Sequence, residues 1–147
     1  MLTDIDRAYM AGLVDGEGSI HIVMMNRKSI SVQPRVCIAM SELDCVRWAF
    51  RTFEGGRLYL NLAQTQINGC NRNAKSLNRV DWTGTTCEPL LREIYPFLKL
   101  KQPQAELIFK LRSLIGPRGN KRSPELISQL LVCYERCHEL NKRGLAA

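Results

Sequence analysis

The sequence lacks the patterns that mark several common classes of protein. Its six cysteines stand at positions 37, 45, 70, 87, 133 and 137, and no pair has the Cys-x-x-Cys spacing of a structural zinc site. Cys133 and Cys137 share a helix face ahead of His138, which makes a poor zinc signature. The apolar runs are too short to cross a bilayer, and the N-terminus lacks the basic start and apolar stretch of a signal peptide. We therefore expect free thiols, no secretion signal, no membrane partner and a reducing location such as an organelle matrix or a bacterial or phage cytoplasm.

An internal repeat is also absent, and 147 residues favour a single domain over residues 1–147. A chain of this length buries about two-thirds of the surface that its unfolded form exposes, so it needs no disulfide or metal to hold its core. Acidic residues are in the minority, with 14 Asp and Glu against 21 Lys and Arg, a net charge of +7. This excess favours an anionic partner such as a nucleic acid.

The most informative feature that is present is the run at 9–18, Tyr-Met-Ala-Gly-Leu-Val-Asp-Gly-Glu-Gly. It predicts a helix over about 6–15, capped at its start by Asp4 or Asp6. Asp15 and Glu17 then fall at the C-terminal end, where the helix dipole and unbonded carbonyls are negative. Each carboxylate costs about 0.3–1 kcal/mol there unless a cation compensates. A bound divalent metal would compensate.

The same helix carries small residues at a spacing of four. Ala8, Gly12 and Gly16 lie on one face, where the backbone of a second helix can come close. The run therefore predicts both a tight helix–helix contact and a carboxylate at its end.

The rest of the chain alternates between strand and helix patterns. Apolar and polar residues alternate over 19–25, 31–40, 57–62 and 79–83, which predicts two β-hairpins. Pro34 favours an edge strand or a bulge. Helices are predicted over 41–53, with Ser41 as its cap, and over 87–97, 101–115 and 124–142, with a polar tip at 66–78 and a basic loop at 116–122. The order αββαββα with C-terminal helices is an α+β arrangement.

The predicted sheet has one apolar face and one polar face, so its polar face is solvated. Arginine, glutamine and asparagine can read base edges, and lysine and arginine can contact phosphates. Each residue alone is equally consistent with an ordinary solvated strand, but four arginines and a single acid share the face. The candidate DNA-binding residues are His21, Val23, Met25, Arg27, Ser31, Gln33, Arg35, Arg57, Tyr59, Asn61, Arg79, Asp81 and Thr83.

Residues 10–18 resemble the signature of the LAGLIDADG homing endonucleases, with conservative changes at the apolar positions. Residues 96–102, Pro-Phe-Leu-Lys-Leu-Lys-Gln, and then 104–105, Gln-Ala, resemble the homodimeric branch of that family. The resemblance runs from about residue 9 to 114. It implies the family's αββαββα fold with an antiparallel, saddle-shaped sheet as the DNA-reading surface, and a site-specific endonuclease that cuts both strands of double-stranded DNA.

The resemblance also implies the residues of an active site. The family's metal ligand falls on Glu17, where aspartate is commoner, and the carbonyl of Gly16 is a second ligand. Mg²⁺ is the expected metal, with Ca²⁺ or Mn²⁺ as substitutes in binding or activity. Asp15 has a structural role in this pattern. The family's active-site lysine falls on Lys101, where a cation can offset charge in the transition state. A second interpretation of Lys101 is an ordinary surface lysine at the start of a helix.

A further polar residue of the family positions a water molecule at the end of the second strand. An alignment on Trp48 places it at Glu42, where many members have glutamine. A second interpretation of Glu42 is stabilisation of the first turn of its helix. A basic position of the homodimeric branch falls on Val46 or, if the alignment shifts by one, on Arg47.

The resemblance further implies a homodimer on a pseudopalindromic target of roughly 20 bp. Its twofold axis would bring two copies of Glu17 together. The expected interface residues are Ala8, Ala11, Gly12 and Gly16.

Two alternatives use the same fold. One is an RNA-binding maturase with intron RNA as its partner, and the other is a DNA-binding repressor without catalysis. The presence of both Glu17 and Lys101 favours cleavage.

Overall fold

The computed structural model describes residues 1–62, 76–116 and 122–142. Within these ranges the elements follow the predicted order αββαββα with two further helices, so the α+β prediction is confirmed. Residues 66–75 of the expected polar tip, 117–121 of the expected basic loop and Cys70 lie outside the described residues. The elements are α1 (Asp4–Gly16), β1 (Gly18–Asn26), β2 (Ser31–Met40), α2 (Leu43–Thr52), β3 (Arg57–Leu62), β4 (Leu77–Thr83), α3 (Cys87–Ile94), α4 (Gln102–Ile115) and α5 (Pro124–Leu140).

The four strands form one antiparallel sheet in the order β1-β2-β4-β3. Alternate residues of the strands point to one face, where they meet the helices and are buried. Trp82 is the largest of these side chains, and its indole N–H donates to the carbonyl of Glu54 at 3.0 Å. Other members of this core face are Ile20, Ile22, Val32, Val36, Ile38 and Val80.

The start of α1 differs from the prediction. Thr3 is the N-cap, and its hydroxyl accepts a hydrogen bond from the N–H of Asp6 at 3.2 Å. The carboxylate of Asp6 accepts in return from the N–H of Thr3 at 2.9 Å. Both Asp4 and Asp6 lie inside the helix, so neither is the cap. A threonine three residues ahead of an acid completes a capping box, which satisfies two orphan donors at once.

Pro34 was predicted to lie in an edge strand or at a bulge, but it lies in β2, an inner strand of the sheet. The ladder between β2 and β4 begins only at Arg35, opposite Thr83. Pro34 therefore pairs with β1 alone, opposite Ile22. A residue without an N–H is tolerated there because only one side of the strand carries a ladder.

Strand β3 departs from strict alternation. Tyr59 pairs with Arg79, but the next pair is Leu62 with Leu77, so two residues oppose one. Asn61 within this bulge has a φ of 52°. Leu60, the apolar residue next to Asn61, is 45% exposed.

Gly18 joins α1 to β1 at a point where two backbones meet. A Cβ on Gly18 would lie 2.8 Å from Cα of Val14 and 3.0 Å from the carbonyl oxygen of Cys37. Both neighbours are backbone atoms, which cannot rotate away. This close approach leaves no room for a side chain at position 18.

We therefore expect Gly18→Ala to lower the free energy of unfolding by about 2–3 kcal/mol through overpacking. Urea denaturation at two protein concentrations measures the change and separates folding from association. Gly16→Ala is the control, because a Cβ on Gly16 meets nothing within 4 Å. Equal stability of the two variants would contradict the proposed close approach.

The outer edge of β1 is covered by the end of α5. The side-chain amide of Asn141 donates to the carbonyl of Ile20 at 2.9 Å and accepts from Gln104 at 3.2 Å. An edge strand capped in this way offers fewer free backbone groups to another chain.

The described cysteines are free thiols at positions 37, 45, 87, 133 and 137. Burial raises the pKa of Cys87 to about 12 and that of Cys137 to about 11, so both stay protonated at neutral pH. None of the helices in the described ranges has both the length and the apolar character that a membrane span requires.

Candidate nucleic-acid interface and metal site

The last turn of α1 is bound by a lysine that lies 86 positions later in the sequence. The ammonium group of Lys101 donates to the carbonyls of Val14 at 2.8 Å and of Asp15 at 2.5 Å. These carbonyls lie at the negative end of the helix, where a cation is favourable. Lys101 therefore supplies a compensating cation at this helix end.

Asp15 completes the link between α1 and the segment before α4. Its carboxylate accepts three backbone hydrogen bonds, from the N–H groups of Lys99 at 2.7 Å, Leu100 at 3.2 Å and Lys101 at 3.0 Å. Its oxygens are occupied in this way, which agrees with the structural role expected for Asp15. Lys101 is thus held by both its backbone and its side chain.

Glu17 follows directly as the C-cap of α1, with its N–H bonded to the carbonyl of Leu13 at 2.8 Å. Both Glu17 and Gly16 are exposed. A carboxylate and a helix-terminal carbonyl are hard oxygen donors, which suit Mg²⁺. The described residues contain no group of three or more acids, histidines or cysteines that would hold a metal alone. Magnesium often binds one or two carboxylates together with phosphates and water, so the donors present fit that metal.

Glu42 lies at the same end of the sheet as Glu17. Gly18 begins β1 opposite Ile38, and β2 ends at Met40, two residues before Glu42. The side chain of Glu42 accepts from the N–H of Asp44 at 3.5 Å and makes Glu42, not Ser41, the N-cap of α2.

The uncertain basic position of α2 is resolved in part. Val46 is fully buried in the core, whereas Arg47 is half-buried. The side chain at 46 therefore belongs to the core, and of these two positions only 47 carries a charge.

The opposite face of the sheet is polar and partly exposed, as predicted. Along β1 and β2 the residues that alternate with the core are half-buried or exposed. Arg27 lies one residue beyond β1 in the turn to β2, so it extends from the end of the face. Register places His21, Arg35 and Thr83 in one row across three strands, and Cys37, Asp81 and Arg57 in the next.

Asp81 was predicted to contact DNA, but its side chain is only 3% exposed. The guanidinium groups of Arg35 and Arg79 cover it, and both form ion pairs with its carboxylate. The guanidinium of Arg79 also lies over the ring of Tyr59, 4.8 Å from the centroid. A carboxylate enclosed in this way is not accessible to a partner at the polar face.

The similarity of this protein to known proteins is found in its structure. No family model and no curated protein matches the sequence. The fold is similar to that of the homing endonuclease I-CvuI, solved in complex with its target in the presence of Ca, with a TM-score of 0.74, 17% identity, and coverage of 97% of this chain and 86% of that one. The archaeal intron-encoded homing endonuclease I-Vdi141I, complexed with DNA, gives a TM-score of 0.74, 13% identity, and coverage of 96% and 87%.

The I-LtrWI LAGLIDADG homing endonuclease, bound to target DNA, gives a TM-score of 0.68, 14% identity, and coverage of 92% of this chain and 45% of that one. This chain has the LAGLIDADG homing endonuclease fold. The fold implied by residues 10–18 and 96–105 is thereby confirmed.

In this LAGLIDADG fold, α1 presents two different stripes. Met10, Ala11 and Val14 are fully buried in the core of the chain itself. Ala11 was predicted as an interface residue, and that prediction is wrong, because its methyl group packs inside the chain. The opposite stripe, Ala8, Gly12 and Gly16, is exposed, and the two glycines have open space around them.

Two exposed apolar side chains beside this stripe were not predicted from the sequence. Ile5 is 82% exposed and Tyr9 is 52% exposed. Tyr9 packs edge-on against Trp48, with ring centroids 4.8 Å apart. Ile5 and Tyr9 are four residues apart in the sequence, as are Ala8 and Gly12, and this spacing predicts that each pair shares one helix face.

His21 lies on the polar face of the sheet, where it pairs with Arg35 across β1 and β2. Burial lowers the pKa of His21, the charge of Arg35 lowers it further, and Asp81 opposes the shift. The unfolded chain therefore takes up this proton at higher pH than the folded chain.

We expect the free energy of unfolding to fall as the pH drops below about 6.5, the usual pKa of histidine. His21→Gln should reduce this dependence, as measured by urea denaturation across the range. A ring titration of His21 by NMR with a midpoint at or above the ordinary value would contradict it.

Proposed function

We propose that the protein is a site-specific homing endonuclease. It would make metal-dependent double-strand breaks in a long pseudopalindromic DNA target as a homodimer. The observation that carries the proposal is the end of α1, where the Lys101 ammonium binds two helix carbonyls beside the exposed Glu17. The solved structures of similar fold, I-CvuI and I-Vdi141I, are complexes with DNA.

Glu17 and the carbonyl of Gly16 are the residues that would hold Mg²⁺, and Ca²⁺ or Mn²⁺ can replace it in binding or activity. When bound, the metal would supply polarisation of water and stabilisation of negative charge at the phosphate. Lys101 keeps a positive charge at this end of α1, which offsets the charge that develops on the phosphate. Glu42, at the same end of the sheet, would orient a water molecule.

One chain contributes one Glu17, and cleavage of both strands needs two such sites. The exposed stripe of Ala8, Gly12 and Gly16 lets the same helix of a second copy approach closely. A twofold axis at this stripe places the two Glu17 carboxylates side by side. The proposed homodimer depends on this stripe of α1, and the pseudopalindromic target follows from the twofold symmetry of the homodimer.

The polar sheet face would lie along double-stranded DNA. Its arginines can contact phosphates and base edges, so affinity should fall steeply with salt. The free thiols described above suit a reducing compartment.

The test begins with selection of bound sequences from a randomised duplex library of roughly 20 bp. The selected site, cloned in a supercoiled plasmid, is then incubated with the protein and Mg²⁺. We expect linear plasmid as the product, with cleavage absent from a plasmid that lacks the site. Binding of structured RNA without cleavage of any DNA would overturn the proposal in favour of a maturase.

A further inference from the structure

The centre of the polar sheet face contains one buried carboxylate among three arginines. Asp81 on β4 lies directly opposite Arg57 on β3 in the ladder. Arg35 comes from β2 on its other side, and Arg79 precedes Asp81 by two residues on the same strand. Arg35 forms an ion pair with Oδ2 of Asp81, and Nε of Arg79 lies 3.1 Å from Oδ1.

These two arginines are restrained but incompletely bonded. Within the described residues, Nε of Arg35 and Nε of Arg79 are buried and have no hydrogen-bond partner of good geometry, and the same holds for Oδ1 of Asp81. The side chains of Arg35 and Arg79 are still 27% and 31% exposed. Each guanidinium is therefore held by Asp81, and that of Arg79 also by the ring of Tyr59, while part of each side chain stays exposed.

A restrained guanidinium has a defined use on DNA. Arginine binds O6 and N7 of guanine with two parallel hydrogen bonds, and the planar fork must be held in one orientation to do so. A free arginine reaches phosphates as readily, and phosphate contacts carry no sequence information. A carboxylate that holds the fork thus favours base recognition over backbone contact.

We propose that Asp81 is a positioning residue that sets the sequence specificity of the protein. It holds Arg35 and Arg79 so that each recognises guanine at one base pair of the half-site. This inference rests on the proposed function, because it assumes that the polar sheet face binds double-stranded DNA.

The experiment is selection from a randomised duplex library in Ca²⁺ with the wild type, Asp81→Asn and a matched control. Glu135→Gln is the control, because it removes the same charge from an exposed position on α5. The wild type and the control should select the same half-site with strong guanine preferences. Asp81→Asn should reduce the enrichment of guanine at the affected positions by about tenfold, the usual effect of one lost base contact.

The affinity for unselected DNA provides a second measurement. A purely structural role of Asp81 would not predict an increase in this affinity. With Arg35 and Arg79 released to phosphates, Asp81→Asn should bind unselected DNA more tightly than Glu135→Gln does. The slope of log K against log salt should steepen by about 1–2, since each added phosphate contact contributes about 0.9.

A double variant keeps the test valid if Asp81→Asn does not fold. Arg35→Gln with Asp81→Asn removes both partners of one ion pair, so less uncompensated charge stays buried. Compared with Arg35→Gln alone, the double variant should lose the guanine preference that depends on Arg79.

The outcomes separate the two proposals. If the wild type selects no sequence at all, the proposed function fails. If the wild type selects a site and Asp81→Asn selects the same site with equal guanine enrichment, only the role of Asp81 is overturned. Equal loss of preference in Glu135→Gln would also overturn it, because net charge would then explain the effect.

Discussion

Glu17→Gln should lower the rate of DNA cleavage by about 1,000-fold or more, which corresponds to about 4 kcal/mol of transition-state stabilisation. The substitution keeps the shape of the side chain and removes the anionic oxygen that would bind the metal. Glu17 is exposed and its helix-capping bond comes from its backbone, so the fold should be retained. Affinity for DNA should be unchanged or slightly higher, since one negative charge near phosphates is lost. Single-turnover cleavage at saturating protein measures the rate, and a gel-shift assay in Ca²⁺ measures the affinity.

Glu135→Gln is again the matched control and should cut at the wild-type rate. Glu42→Gln separates the roles of the two carboxylates. If Glu42 orients a water molecule, this amide variant should retain part of the activity, because glutamine can form the same hydrogen bonds. Cleavage by Glu17→Gln at the wild-type rate would show that the metal ligand lies elsewhere.

Gly12→Leu is expected to raise the dissociation constant of the homodimer by about 100-fold or more. A leucine on the exposed stripe of α1 would hold the two helices apart, and overpacking costs about 1–3 kcal/mol at each of two symmetric positions. The chain itself should tolerate the change, because a Cβ on Gly12 meets nothing within 4 Å. Leucine is also a better helix former than glycine by about 0.8–1 kcal/mol. Sedimentation equilibrium should show twice the chain mass of 16.8 kDa for the wild type and the single mass for the variant.

Gln129→Leu provides the control for Gly12→Leu. It adds the same apolar side chain to an exposed position on α5, away from the proposed interface. This control should sediment as the wild type does. A dimeric Gly12→Leu variant would place the interface elsewhere, and a wild type that is monomeric even on its DNA target would exclude the paired site.

The end of α1 illustrates what sequence patterns can predict. The spacing of glycines and carboxylates at 9–18 correctly predicted that α1 ends close to Gly16 with the carboxylate of Glu17 at that end. It did not predict Thr3 as the cap, because a cap depends on the φ and ψ of a residue just outside the apolar pattern. Nor did it identify Lys101 as the bound cation, since 84 residues separate Glu17 from Lys101 along the chain.

The interface predictions show a related limit. Ala8, Ala11 and Gly12 are all small residues of one helix, and their size alone does not separate the two stripes. Burial does, because Ala11 packs against the core while Ala8 and Gly12 are exposed. Which side of a helix meets its own sheet depends on how the helix is anchored, and that is a tertiary property.

The amino-acid sequence by itself determined the alternation of the sheet, the order of the elements and the small-residue stripe of α1, because these depend on periods of two and of about four residues along the chain. Only the tertiary structure decided that Asp81 is enclosed by Arg35 and Arg79, and that Asp15 binds the backbone before α4. Those contacts join residues from separate elements. Their geometry follows from strand register and helix packing, which no local pattern contains.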